Sequence, residues 1–351
     1  MLQIDDFPKN ELEFHERFNT EEACREYWVQ TRWPDGFICP HCGHKGGWTL
    51  KGHEEIECAN ATCGKQTSPR AGTVLHNSEK PIRAWLLAMF HMSINKQGIS
   101  ALRLQRLLGF GSYDTALRWL RELRRVMAPT AASDKLGPEV EVDETFVGGV
   151  QPDTKGPYVG KKLVVGIVEK NGRGCGRARL RVIKRRDGAT LCGFVKEFVE
   201  QGSIVCTDGY QGYVELAGMG FVHDPRTTTS GKGGNSSALK IEGGTKVVEI
   251  HLPRIHRLFS KFDRIVASAF QGNVSEEHIQ SYLDEECFRF NRRTFKNPLK
   301  IFHAVVTRAV TSQCVPLWKS RGREAPDVPT KKATIEWKLM GSALQGCSYN
   351  G

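Results

Sequence analysis

The chain has 351 residues and a mass of 39.3 kDa; 39% of its residues are hydrophobic and 25% are charged. This composition is typical of a folded globular protein and excludes a disordered or fibrous chain. At about 150 residues per domain, the length predicts two or three domains. No apolar run reaches the roughly 18 residues of a membrane span, and the acidic start at 1–22 is unlike a secretory signal. We therefore expect a cytoplasmic protein.

The charge balance is strongly basic. Lys and Arg total 50 against 39 Asp and Glu, which gives a net charge of +11 and an isoelectric point near 9.1. Each Lys or Arg placed near a phosphate releases condensed counterions, so a surplus of this size favours a polyanionic partner. The alternative on charge alone is a basic protein without such a partner. Nucleic acid is therefore a hypothesis that other features must support.

Four of the eleven cysteines lie close together in the chain, after a helix predicted over 20–31. They are Cys39, Cys42, Cys58 and Cys63, two pairs separated by 15 residues that contain two short predicted strands. This is the spacing of a zinc ribbon, in which Zn²⁺ takes four thiolates in a tetrahedron. A segment this small cannot bury enough apolar area to fold alone. We predict a structural zinc site in a ribbon region at 20–75, and reduced thiols at the other seven cysteines.

A helical segment is predicted at 80–128. Apolar periodicity and capping residues place helices over 82–93, 101–108 and 114–127, and Gly109 ends the second of them. The last two helices resemble a helix-turn-helix, and the last one carries four arginines that are candidates for DNA contact. These candidates are Arg118, Arg121, Arg124 and Arg125. An ordinary helical hairpin with solvated arginines is the alternative.

After a linker at 128–138, the pattern changes to that of a mixed α/β domain. Strands are predicted over 140–146, 162–169 and 177–183, followed by a helix over 190–200 and a strand over 203–207. This order is that of an RNase H-like α/β core, here preceded by the ribbon and the helical segment. We expect a mobile loop at 227–244, helices at 253–267 and 275–290, and a loosely ordered tail at 318–351.

Two acids at strand ends are candidates for divalent cation ligands. Asp143 lies on the first strand of the predicted core and Asp208 directly follows the fourth. These strands are neighbours in such a core, so both carboxylates can share divalent metal. Hard cations prefer oxygen ligands, and phosphoryl transfer uses them to bind the attacking and leaving oxygens. The alternative is that both acids are solvated or cap a helix.

The chain resembles the insertion-sequence transposases of the ISXO-like group, which join an N-terminal zinc ribbon to a DDE-type catalytic domain. The resemblance runs from about residue 20 to about residue 305, with the motifs in the family's order. The matching stretches are 39–43 (CPHCG), 63–67 (CGKQT), 71–76 (AGTVLH), 140–149 (VEVDETFVGG), 207–213 (TDGYQGY) and 282–293 (YLDEECFRFNRR).

The resemblance implies a DDE-type catalytic domain at 138–305 with Asp143 and Asp208 as the first two catalytic acids. Glu144 is then a neighbour rather than a ligand. The family's third acid, a glutamate, falls on His256 here, a ligand better suited to Mn²⁺ than to Mg²⁺. Glu249 and Asp263 are the rival third ligands. The alternatives for His256 are a general base and a histidine on a helix surface that binds no metal.

The function implied by the resemblance is transposition. The protein would be nucleoid-associated, would bind double-stranded DNA at element ends and target, and would act as a dimer or larger assembly. The expected cofactors are structural Zn²⁺ and catalytic Mg²⁺ or Mn²⁺. At the end of the matched region Arg289, Arg292 and Arg293 are further candidates for phosphate contact, with a solvated basic face as the alternative. Two other functions remain open: a DNA-binding regulator derived from a transposase that has lost its activity, and an RNase H-like nuclease that cuts without joining.

Overall fold

In a computed structural model of the protein, the structure describes residues 8–50, 53–95, 98–129, 135–148, 160–226, 237–242, 245–250, 252–270, 277–295 and 299–312. The predicted tail at 318–351 lies outside these residues. The helices are α1 Glu11–Arg17, α2 Glu21–Arg32, α3 Ile82–Ile94, α4 Ala101–Leu108, α5 Tyr113–Met127, α6 Gly188–Phe198, α7 Pro253–Phe270, α8 Ile279–Phe290 and α9 Leu299–Thr311. The strands are β1 Gly47–Thr49, β2 Ile56–Cys58, β3 Gln66–Thr67, β4 Glu139–Val147, β5 Lys162–Asn171, β6 Gly174–Ile183, β7 Ile204–Thr207, β8 Val222–Pro225, β9 Ser237–Glu242 and β10 Thr245–Ile250.

The cysteine-rich region forms a small antiparallel sheet. Its strands lie in the order β1-β2-β3, and the first two match the strands expected between the cysteine pairs. The preceding helix α2 begins as predicted, because the Thr20 hydroxyl accepts a hydrogen bond of 3.2 Å from the backbone N–H of Ala23. A ribbon with so little buried area depends on ligands at its cysteines for stability.

The predicted helical segment shares one hydrophobic core with helices outside it. Trp85 of α3 stacks on Trp119 of α5 with ring centroids 3.6 Å apart. Phe302 of α9 is fully buried and lies against Phe90 of α3 and Tyr27 of α2. Helix α9, which begins inside and ends beyond the predicted catalytic segment, therefore packs on the helical core. The domain bounds given above remain a prediction.

The second half of the chain is built on a five-stranded mixed sheet in the order β6-β5-β4-β7-β8. Strands β4, β5 and β6 pair antiparallel, whereas β7 crosses over through α6 and pairs parallel to β4. This confirms the predicted RNase H-like order and makes β4 and β7 neighbours. The sequence did not predict β8 or the 3₁₀ segment Gln211–Met219 between β7 and β8.

Helices cover both faces of this sheet. Apolar side chains of α6 pack on one face with Val142 and Val205, while those of α7 and α8 pack on the other with Val164 and Cys206. Because side chains alternate along a strand, β4 sends successive residues to opposite layers.

Helix α8 also closes the free edge of the sheet at β6. The Gln280 amide accepts from Val182 N at 2.9 Å and donates to Leu180 O at 3.1 Å. The Asn291 amide accepts from Ala178 N at 2.7 Å and donates to Ala178 O at 3.1 Å. These side-chain amides satisfy backbone groups that an exposed edge strand would leave unpaired.

Part of the segment expected to be a mobile loop is regular. Residues Ser237–Glu242 form β9, which pairs antiparallel with β10 in a register that places Glu242 opposite Thr245. The loop prediction is therefore wrong for 237–242. The pair Gly243-Gly244 between two segments that contain β-branched and apolar residues is a hairpin signal in the sequence, which the Thr, Ser and Gly content of the segment obscured.

Among the described residues, no helix is long and apolar enough to cross a membrane.

Candidate functional site

Strand β4 directs its acidic side chains to opposite faces of the sheet. Glu141 and Asp143 contact α7 on one face, through Arg254 and His256. Glu144 lies on the other face, where it accepts a hydrogen bond from the Tyr213 hydroxyl. The period-two alternation of a strand thus separates two adjacent acids, Asp143 and Glu144, by the thickness of the sheet.

Asp208 directly follows β7, the strand that neighbours β4. The parallel register pairs Val140 with Val205 and Glu141 with Cys206, and the same offset matches Asp143 to Asp208. Paired strands are about 4.7–4.9 Å apart, and each aspartate lies two residues beyond the last pair, Glu141 and Cys206. The side chain of Asp208 is 9% exposed, and its Oδ1 accepts a hydrogen bond of 2.9 Å from the backbone N–H of Tyr210.

The start of helix α7 is anchored by Glu141. Its buried carboxylate accepts hydrogen bonds from the backbone N–H groups of Arg254 at 2.7 Å and Ile255 at 3.0 Å. It also forms an ion pair of 2.7 Å with the Arg254 guanidinium. An anion at a helix N-terminus satisfies unpaired N–H groups and the helix dipole. Glu141 therefore sets the position of the next residue, His256, against β4.

His256 is the third side chain at the site. Its Nε2 lies 3.0 Å from Asp143 Oδ2, and the side chain is 28% exposed. Of the rival third ligands, Glu249 lies on β10, for which the structure describes the backbone alone. Asp263 lies two helical turns beyond His256, about 10.5 Å along α7. Burial raises the pKa of the Asp263 carboxyl above its usual value. The positive charge of Lys161 opposes this effect but is the smaller of the two.

The chemistry of this donor set fits a divalent cation. Two carboxylates of low exposure and one imidazole on adjacent elements offer hard oxygen ligands and one softer nitrogen, a combination that Mn²⁺ accepts. Within the part of the chain that the structure describes, only the four cysteines form a group of three or more potential ligands with all donor atoms within 4.8 Å of one another. Asp143, Asp208 and His256 are a more open set.

Two residues at the site, Arg186 and Tyr213, were not predicted from sequence. The Arg186 guanidinium forms ion pairs of 2.9 Å with Glu144 Oε2 and 3.3 Å with Asp208 Oδ2. Burial raises the pKa of Glu144, while the Tyr213 hydrogen bond and Arg186 oppose this rise. The only sequence signal for this cluster was Glu144, an acid beside Asp143 to which no role was assigned. Its partners Arg186 and Tyr213 lie far from it in the chain, so no local pattern links them.

The four cysteines converge as the ribbon prediction requires. Cys39 Sγ lies 3.9 Å from Cys63 Sγ, Cys42 Sγ lies 3.6 Å from Cys58 Sγ, and all four sulfurs lie within 4.8 Å of one another. Thiolates bound to Zn²⁺ at about 2.3 Å in a tetrahedron would be about 3.8 Å apart. The distances therefore suit one zinc ion held by all four sulfurs, with no open position for a substrate.

Two of the arginines predicted to contact DNA are buried. Arg124 is 2% exposed and pairs with Glu285 at 2.7 Å, and Arg289 is 8% exposed and contacts both Glu285 and Glu286. These guanidiniums neutralise buried carboxylates between α5 and α8, which disfavours contact of Arg124 and Arg289 with DNA, although that contact stays a prediction.

The other predicted arginines reach the surface to different degrees. Arg118 is exposed, Arg121 contacts the His278 ring, and Arg125 pairs with Glu122 at 2.9 Å. Arg292 and Arg293 stack on phenylalanine rings of α8 at 3.7 and 3.9 Å. Their contact with DNA remains a prediction.

Comparison with known protein families gives two matches. Residues 135–291 match the ISXO2-like transposase domain, and residues 19–66 match the transposase zinc-ribbon domain. The first is a DDE-type catalytic domain of the polynucleotidyl transferase kind. The chain therefore belongs to this family of insertion-sequence transposases, as the sequence motifs indicated. No curated protein matches the chain.

We expect the purified protein to contain one zinc ion per chain. Cys39→Ser and Cys58→Ser each remove a ligand from a different pair and should lower the zinc content severalfold and the melting temperature. The measurement is metal analysis by mass spectrometry together with thermal unfolding. Cys175→Ser, outside the cluster, is the matched control. Full zinc content in both ligand variants would contradict the four-thiolate site.

Proposed function

We propose that the protein binds the terminal inverted repeats of its own element, cleaves DNA at the 3′ ends and joins these ends to target DNA. The observation that supports the proposal is the parallel pairing of β4 with β7. Asp143 and Asp208 each lie two residues beyond the last pair of this ladder, and His256 contacts Asp143. The family membership supports the same chemistry.

In this proposal Asp143, Asp208 and His256 hold the divalent cation. When bound, such a cation lowers the pKa of a nucleophilic water or 3′-hydroxyl and stabilises the leaving oxygen. The protein's own contribution is placement. The sheet aligns the two aspartates, and the anchored start of α7 presents the imidazole to Asp143. Low exposure of both aspartates strengthens electrostatic interactions there relative to bulk water.

DNA binding is assigned to the ribbon and the helical segment, with Arg118, Arg121 and Arg125 as phosphate contacts. Their support is the net charge of +11 and the position of α5 after α4 in a helix-turn-helix-like arrangement. Since transposition joins two element ends, we propose a dimer or a larger assembly on DNA. If strand cleavage and joining do not depend on Asp143 and Asp208, the second candidate function holds, a regulator that binds DNA without cleaving it.

The aspartates are tested by Asp143→Asn and Asp208→Asn. Each change keeps the side-chain size but removes a negative charge, so we expect strand cleavage and joining to fall on the order of 10²–10³-fold. The assay uses the full-length protein, Mn²⁺ and a DNA carrying both ends of the element that encodes the chain. Asp224→Asn, an acid on β8 paired with Arg226, is the matched control. Equal activity in wild type and both site variants would remove the enzymatic proposal.

The role of His256 is tested by the choice of metal. Imidazole favours Mn²⁺ over Mg²⁺, whereas a carboxylate suits both, so His256→Glu should lower the ratio of Mn²⁺-supported to Mg²⁺-supported activity by about tenfold. The matched control is His53→Glu, which makes the same substitution at an exposed position of the ribbon, away from the site. An unchanged ratio in His256→Glu would show that the imidazole binds no catalytic cation.

A further inference from the structure

Arg186 contacts two carboxylates, Glu144 in the middle of β4 and Asp208 directly after β7. Its Nε donates to Glu144 Oε2 at 2.9 Å and its Nη2 to Asp208 Oδ2 at 3.3 Å. The guanidinium lies over the Tyr210 ring, 3.9 Å from the centroid, and the Tyr210 hydroxyl donates to the Arg186 carbonyl oxygen at 3.0 Å. The position of Arg186 is therefore defined by contacts to its head group and its backbone.

The two carboxylates that bind Arg186 are not equivalent. The Glu144 side chain is 2% exposed, lies on the opposite face of β4 from Asp143 and also accepts from the Tyr213 hydroxyl. A carboxylate buried this deeply requires a charged partner, so Glu144 keeps Arg186 in place. The contact with Asp208 is longer, and 40% of the Arg186 side chain is exposed. Glu144 is the fixed partner and Asp208 the exchangeable one.

A divalent cation and a guanidinium compete for the same carboxylate oxygen. A cation bound to Asp208 Oδ2 uses the lone pairs that accept from Arg186, and the two positive charges repel each other at this distance. The ion pair between Arg186 and Asp208 must weaken when the cation binds. The pair between Arg186 and Glu144 uses a different carboxylate, so it can persist through that exchange.

We propose that Arg186 is a positioning residue of the cation site: it serves as the counter-ion of Asp208 until a divalent cation replaces it. The guanidinium then leaves Asp208 but stays paired with Glu144, so some of its N–H donors are available for a phosphate of the DNA backbone. Its planar arrangement of donors matches the geometry of phosphate oxygens. This inference rests on the proposed function, because it takes Asp208 as a cation ligand.

The proposal is tested by Mn²⁺ binding to the zinc-loaded, full-length protein without DNA, followed by electron paramagnetic resonance of free Mn²⁺. Removal of the competing charge in Arg186→Gln should tighten Mn²⁺ binding roughly two- to fivefold, the range expected for a partly exposed ion pair. The matched control is Arg185→Gln, whose side chain is 78% exposed and pairs with Asp187. It removes the same charge one residue away and should change Mn²⁺ affinity less.

A second variant guards against misfolding and general charge effects. Glu144→Gln combined with Arg186→Gln removes one negative and one positive charge, so it leaves the net charge unchanged and removes the buried charge of Glu144 together with its partner. It should also tighten Mn²⁺ binding. Unchanged or weaker binding in both folded variants, or an equal effect of Arg185→Gln, would overturn the proposal.

Strand cleavage at saturating Mn²⁺ supplies a second readout. Because the displaced guanidinium contacts DNA phosphate, Arg186→Gln should cleave about tenfold more slowly than wild type, although it binds the metal more tightly. A purely structural role would weaken metal binding and cleavage together, and an unchanged cleavage rate would overturn the phosphate contact. Asp208→Asn distinguishes the two proposals. Unchanged Mn²⁺ binding in this variant would show that the cation site of the proposed function fails, and the Arg186 proposal with it. Weaker binding in Asp208→Asn together with unchanged binding in Arg186→Gln would overturn the Arg186 proposal alone.

Discussion

The buried carboxylate of Glu141 is the contact on which the geometry of the candidate site depends. It satisfies the first N–H groups of α7 and pairs with Arg254, so it joins the helix to the central strand two residues before Asp143. His256 reaches Asp143 because of this attachment. The parallel pairing of β7 with β4 then adds Asp208, two residues beyond the last pair. Three elements distant in the chain thus meet beside the middle of β4, where Asp143 and Glu144 lie on opposite faces of the sheet.

Sequence patterns predicted those parts of the structure that depend on local spacing. The cysteine pairs and the strand order follow from the separation of ligands and the alternation of apolar residues. The family models agree with the zinc ribbon and the catalytic domain that these patterns indicated. Strand β8 and the 3₁₀ segment were missed because they are short and lack strong periodicity. The partners of Arg186 were also missed. Glu144 lies 42 residues before it in the chain, and no local pattern records such a contact.

The basic surplus proved to be a poor guide to individual residues. Arg124 has the same helical surroundings in sequence as Arg125, yet it pairs with Glu285, 161 residues away, in the interior. Arg254 and Arg186 also neutralise buried carboxylates. Part of the positive charge therefore balances acids inside the fold, and a smaller set of arginines, including Arg118, is available for phosphate.

The central claim is that Asp143 and Asp208 bind one cation between them, and a crystal of the protein soaked in Mn²⁺ tests it most directly. Anomalous scattering locates the ion without reference to the protein. We predict one peak at about 2.0–2.6 Å from a carboxylate oxygen of each aspartate and from Nε2 of His256. An ion bound to a single aspartate, or to Glu144 in place of Asp208, would contradict the account.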